Sequence, residues 1–152
     1  MDKKVSYVKS VVINAPVQQI FQQITDVERR ALWHSLYAEC RLPQGKGIAP
    51  EVSFRAVINI AERRLEAMLQ VVAYRPDQAL RLKAITGLDL EEEWGLKPQA
   101  SGVEVTLTTT LTLPSWAGIL GKVGDKWFLE MQLEKQQEAS LQKLKANAET
   151  GR

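Results

Sequence analysis

The stretch Gly102-Val-Glu-Val-Thr-Leu-Thr-Thr-Thr-Leu-Thr-Leu-Pro114 sets the period in which the rest of the chain is read. Val103, Val105, Leu107, Thr109, Leu111 and Leu113 share one side of a two-residue repeat, and Glu104 with a run of threonines takes the other. β-Branched and apolar residues in strict alternation make a strand with one buried face. Pro98-Gln-Ala-Ser-Gly102 is a hairpin turn, so the preceding strand runs through Leu88, Leu90, Glu92, Trp94 and Leu96. Pro114 ends the run, because proline has no N–H to extend a ladder.

The same period continues upstream. Leu80, Leu82 and Ala84 form an inward set, separated by Arg75-Pro76-Asp77 from Leu65, Ala67, Leu69, Val71 and Ala73. Ala61 to Leu69 also holds helix formers, but its Val71-Val72 end and hairpin spacing favour a strand. Val52, Phe54, Ala56, Ile58 and Ile60 come next, and beyond the Pro43–Gly47 turn Leu36, Ala38, Cys40 and Leu42 alternate with Tyr37, Glu39 and Arg41. At the start, Val5, Tyr7, Lys9, Val11 and Ile13 alternate up to Asn14-Ala15-Pro16. There the period changes to that of a helix, with Val17, Ile20, Phe21 and Ile24 on one stripe and Asn14 placed to cap it. Thr25-Asp26 is placed to cap a second short helix from Val27 to Trp33. Downstream of Pro114, a connector containing Trp116 leads to a long helix from about Asp125 to Glu149. One strand, two short helices, six hairpin-spaced strands and a long helix predict an α+β domain over residues 1–152. Its antiparallel sheet needs that helix to cover its open face.

Composition narrows the chemistry. The 152 residues hold twenty Lys and Arg against eighteen Asp and Glu, a net +2 that argues against a nucleic-acid surface. With one His (His34) and one Cys (Cys40), no intrachain disulfide or multi-ligand Cys/His zinc site can be assembled, and any triad must run through His34. No metal or other cofactor is expected. Met1-Asp2-Lys3-Lys4 leads into alternation and not into the apolar core of a signal peptide, and no apolar run approaches a membrane span. A cytoplasmic protein without an integral membrane segment is expected. Gly118-Ile-Leu-Gly121-Lys122 lacks the flanking residues of a phosphate loop, and Lys3-Lys4 and Arg63-Arg64 are isolated pairs.

Ser10-Val-Val-Ile-Asn-Ala-Pro16 running into Ile20-Phe21 and Ile24-Thr-Asp26, then Trp33, resembles the START/Bet v 1-like (SRPBCC) superfamily, in particular its polyketide cyclase/dehydrase and lipid-transport group. Leu141-Gln-Lys-Leu144-Lys145 and Glu149 resemble that group's closing helix. The resemblance covers nearly the whole chain. It implies a helix-grip fold, with a curved seven-stranded antiparallel sheet wrapped round the C-terminal helix and an apolar cavity between them. It also implies a hydrophobic small molecule, lipid or polyketide-like, as the partner. The group shares no catalytic motif, so no catalytic residue is carried over.

The residues offer candidates for lining such a cavity. At 100° per residue, Leu133, Leu141, Leu144 and Ala148 share one face of the last helix, and Glu130, Glu134 and Gln137 fall in the same sector. Carboxylates there need a partner, water or a ligand, unless that half of the helix projects beyond the sheet. Glu92 has inward parity unless a bulge at Glu91–Glu93 reverses it, and Lys9 or Arg55 are its nearest charged neighbours in sequence, with Arg55 on the outer parity. Trp33, Trp94, Trp116 and Trp127 lie near element ends, where they suit a pocket wall or a plug of the open sheet. Phe54, Leu107 and Met131 complete the candidate lining, and the Trp116–Gly121 loop could gate it. Cys40 is expected to be an inert core thiol, and His34 a capping residue or a proton donor. Three functions compete. One is binding or transport of a hydrophobic molecule. Another is a cyclase or dehydratase using Glu92, Glu130 or His34 as acid or base. The third is an interaction module docking through Trp116 and Ile119. The sequence specifies no oligomeric state.

Overall fold

A computed structural model of the chain describes residues 3–45, 47–60, 63–113 and 126–151. Strand β1 (Lys3–Ile13) precedes helix α1 (Val17–Thr25), then a 3-10 turn (Val27–Arg29) that continues into helix α2 (Arg30–Trp33). Strands β2 (Tyr37–Arg41), β3 (Ser53–Ile60), β4 (Arg63–Arg75), β5 (Ala79–Gly87), β6 (Asp89–Gln99) and β7 (Gly102–Leu113) follow, and helix α3 (Lys126–Glu149) closes the chain. The strands form one antiparallel sheet in the order β1-β7-β6-β5-β4-β3-β2. It curls into a half-barrel around α3, the expected helix-grip architecture.

Alternation explains the sheet's two faces. Val103, Val105, Leu107, Thr109 and Leu111 of β7 are buried. On the other face, Ser6 and Ser10 of β1 share hydrogen bonds with Thr110 and Thr106 at 3.1 and 2.8 Å, so the threonine run becomes a cross-strand ladder. The β6–β7 register is unbroken from Asp89↔Thr112 to Gln99↔Gly102. No bulge falls at Glu91–Glu93, and Glu92 keeps the inner parity of Leu90, Trp94 and Leu96.

Bulges do reverse two of the expected alternations. The β2–β3 register shifts between Tyr37 and Glu39, so Tyr37 and Cys40 are both buried instead of facing opposite ways. On β4 a shift between Val71 and Ala73 turns Ala73 outward and brings Tyr74 over Phe21, ring centroids 5.7 Å apart. The expected side-chain caps are absent too. Helix α1 starts on the carbonyl of Pro16, which accepts from Gln19 and Ile20, and neither α1 nor the 3-10 turn has a side-chain cap. Asn14 instead gives its backbone N–H to the Glu149 carboxylate at 2.8 Å, and Thr25 donates back to the Phe21 carbonyl at 2.9 Å.

Helix α3 joins distant parts of the sheet through adjacent residues. Gln137 donates to the carbonyls of Tyr7 on β1 and Leu107 on β7, at 3.1 and 2.6 Å, while Gln136 donates to Asn59 on β3 at 2.8 Å. Lys145 reaches the Val12 carbonyl at 2.7 Å. These bonds tie the helix to main-chain carbonyls of β1, β3 and β7. Leu129, Leu133, Leu141, Leu144 and Ala148 complete the core beneath them. No described helix is long and apolar enough to cross a membrane.

Candidate functional site

The inner face of the sheet is apolar except around Glu92, which is wholly buried on β6. A bare carboxylate there would cost several kcal/mol. Four donors converge on it. Arg30 of α2 supplies Nη2, Trp94 its indole N–H and His34 its Nε2 (3.2 Å), all to Oε1, and the Tyr37 hydroxyl donates to Oε2. Each carboxylate oxygen has two lone pairs, so Oε1, with three donors, is fully used, and Oε2 keeps one lone pair beside the Tyr37 bond. Arg30 spends Nη1 on the Ile24 carbonyl at 2.6 Å and lies 5.1 Å from the Tyr37 ring centre and 5.9 Å from those of Trp33 and Trp94. Aromatic faces of this kind complement a buried cation.

Local sequence explains the convergence. Val27, Arg30, Trp33 and His34 recur at helical spacing and are all buried, so Arg30 occupies the inward stripe of the second short helix. The bulge in β2 then swings Tyr37 to the same side. His34 links this cluster to α3, its Nδ1 lying 3.5 Å from the Ser140 hydroxyl. Ser140 in turn donates to the Gln136 carbonyl at 2.7 Å and accepts from the Ser35 amide at 2.9 Å.

Protonation states follow from burial. Burial first, and the Arg30 guanidinium second, hold His34 well below the usual imidazole pKa. It is therefore neutral near pH 7, and with Nε2–H donating to Glu92 its Nδ1 is left as the acceptor. Burial raises the Tyr37 phenol, with Arg30 opposing, so Tyr37 stays a donor. The Cys40 thiol is pushed up to about 12 by burial and is an inert core group, as expected.

A neutral buried His34 makes the fold sensitive to acid. Its pKa is lower folded than unfolded, so its contribution is whole above about pH 6.5 and is lost as pH falls toward the folded value. Going from about pH 8 to about pH 5.5 should lower stability through this residue, by on the order of 1 kcal/mol. Urea unfolding at the two pH values should show that loss, and His34→Gln should reduce it. An equal loss in both proteins would refute the assignment.

The family model described as polyketide cyclase / dehydrase and lipid transport matches residues 4–149. The chain belongs to that family. Zhui aromatase/cyclase from Streptomyces sp. R1128 superposes with a TM-score of 0.74 at 14% identity, over 98% of this chain and 94% of that one. The di-domain ARO/CYC StfQ from the steffimycin biosynthetic pathway gives 0.72 at 16%, over 97% of this chain. This chain spans about half of StfQ, 51% of its length. Ginseng major latex-like protein 151 from Panax ginseng gives 0.68 at 10%, over 95% of this chain and 97% of that one. At such identities the likeness is one of fold. No curated protein matches in sequence.

In this polyketide cyclase/dehydrase family member the candidate residues fall into three groups. Trp33, Phe54, Glu92, Trp94 and Leu107 are buried on the inner side, with Trp33 packed edge-on against Trp94 at 5.7 Å. Of the acid-bearing sector of α3 only Gln137 is buried, whereas Glu130 and Glu134 are exposed and Met131 is half-buried. Glu134 lies beside the Tyr7 hydroxyl, whose pKa is raised by burial and by the Glu134 and Glu138 carboxylates. Trp127 is 67% exposed at the start of the helix. Trp116 and the rest of the candidate gate lie outside the described residues. Arg55 is on the outer face, paired with Glu66, and Lys9 pairs with Glu138 at 3.4 Å, so neither reaches Glu92. The partner is Arg30, which a search for apolar periodicity passes over because it is a charge on the buried stripe. Its signal was an inward charge on a short helix opposite an inward carboxylate on a strand.

Proposed function

We propose that this chain binds a hydrophobic small molecule, lipid or polyketide-like, in an internal cavity between the concave face of the sheet and α3. The observation that carries the reading is an apolar inner face bearing one concentrated polar cluster, Arg30–Glu92–His34–Tyr37–Trp94. Such sites take most of their affinity from apolar burial, at about 25 cal/mol per Å², and their orientation from a few fixed polar groups. Phe54, Trp94 and Leu107 supply apolar wall, and the family match supports the class of ligand. Native mass spectrometry of protein purified from its own host should show a co-bound small molecule that organic extraction recovers. A ligand-free spectrum together with an empty extract would count against the reading.

A cyclase or dehydratase activity is the second reading, favoured by the neutral His34 base beside Glu92. In it His34 moves the proton, while Arg30, Tyr37 and Trp94 hold the Glu92 carboxylate that orients the ring. Turnover of a poly-ketone substrate that survives His34→Gln would exclude this role.

A further inference from the structure

A groove of about 490 Å³ lies between α1, the 3-10 turn with α2, and the C-terminal end of α3. No strand residue lines it, so it is separate from the concave face of the sheet. Its volume falls within the span of about 300–1,000 Å³ that small-molecule sites occupy. Asp26, Arg29 and Leu32 all line it, each three residues after the last. Val27–Arg29 is a 3-10 helix, where side chains at i and i+3 eclipse after a rise of about 6 Å. An acid, a base and an apolar side chain therefore stand in file along one wall. Leu32 is 73% exposed, more than any other large hydrophobic residue among those described. Asp26 and Arg29 have opposite charges, yet among the described residues neither is paired with the other or with any other side chain. Gln22 of α1 and Asn147 of α3 add uncharged carboxamides to the lining.

Charge decides what kind of molecule suits this file. An ion of a single sign gains from one of the two charges and is opposed by the other, whereas a molecule carrying both charges gains from both. Carboxamides donate and accept, so they can serve the remaining hydrogens of an ammonium and the remaining lone pairs of a carboxylate. Leu32, next in the file, needs an apolar group to cover it. A free α-amino acid with an apolar side chain carries all three groups on one carbon.

We propose that this groove binds such an amino acid, its ammonium at Asp26, its carboxylate at Arg29 and its side chain over Leu32. The site is independent of the concave-face reading above and stands or falls apart from it. L-Leucine, N-acetyl-L-leucine, L-leucinamide and glycine separate the three contacts, because each of the last three lacks one group. Amide NMR titrations of the whole chain should move the signals of Gln22, Arg29, Leu32 and Asn147. Leucine should bind about fivefold tighter than N-acetyl-leucine or leucinamide, the scale of exposed ion pairs, and about tenfold tighter than glycine. In Asp26→Asn the advantage over N-acetyl-leucine should fall to about one while that over leucinamide persists, and Arg29→Gln should do the converse. Both positions are exposed, so thermal melts of the two variants should match that of the natural chain. Equal affinities for the four compounds, leucine binding untouched by either substitution, or no binding at all overturns the proposal. Each of these results leaves the concave-face reading standing.

Discussion

Glu92→Leu should cost the fold about 3–5 kcal/mol, and adding Arg30→Met should recover part of that loss. The leucine leaves a buried guanidinium facing apolar groups and strands three neutral donors, on Tyr37, His34 and Trp94. Arg30→Met alone is milder, because Glu92 keeps those three donors. The double variant leaves the neutral donors unmet but removes the unpaired buried charge, the largest part of the Glu92→Leu loss. Its cost should therefore lie well below the sum of the singles, with a coupling of about 2 kcal/mol. Urea unfolding of the four proteins measures this directly. Additivity to within about 0.5 kcal/mol would mean that the ion pair does not hold the site together.

Gly87→Ala should lower stability by about 3 kcal/mol, or roughly 6–12 °C in Tm for a domain of this size. Gly87 has φ +82°, and a Cβ there would stand 2.2 Å from the Glu66 carbonyl oxygen and 2.9 Å from the Ala67 Cα. Both are backbone atoms of β4 and cannot swing aside. The Glu66 carbonyl also accepts from the Leu88 amide at 3.0 Å, so yielding to the new methyl breaks that bond. The register shift between Met68 and Leu69 takes up the residue that lets β5 end here. Gly95 on β6 is the control, since its Cβ would meet nothing within 4 Å and its φ is not positive. Gly95→Ala should be neutral or stabilising by up to about 1 kcal/mol. Equal thermal shifts for the two alanines would show that steric fit at the β4–β5 bulge is not what fixes Gly87.

The strands were legible because one buried face imposes a period of two, and β7 states that period without interruption. The inward parity of Glu92 followed from the same rule. Bulges were not legible: at Tyr37–Glu39 and at Val71–Ala73 one extra residue reverses the faces, and local composition carries no mark of it. The candidate site was half legible for the same reason. Its strand members were in view, while Tyr37 was hidden by a bulge and Arg30 by being a charge on an otherwise apolar stripe. Helical angle placed Glu130 and Glu134 with the apolar residues of α3. Their exposure depends on how far the sheet extends along the helix, which angular position does not encode.

The clamp between α3 and the sheet also bears on how the chain is made. The hydrogen bonds of Gln136 and Gln137 span sequence separations of 77, 130 and 30 residues, and that of Lys145 spans 133. None of them can form until the ribosome has delivered the last helix. At about 5–20 residues per second, the stretch from the end of β7 to the end of α3 keeps the sheet's apolar face waiting roughly 2–7 seconds for its cover, a long exposure to neighbouring chains and to chaperones. Release of α3 from the exit tunnel is the event that ends the nascent chain's vulnerability to aggregation.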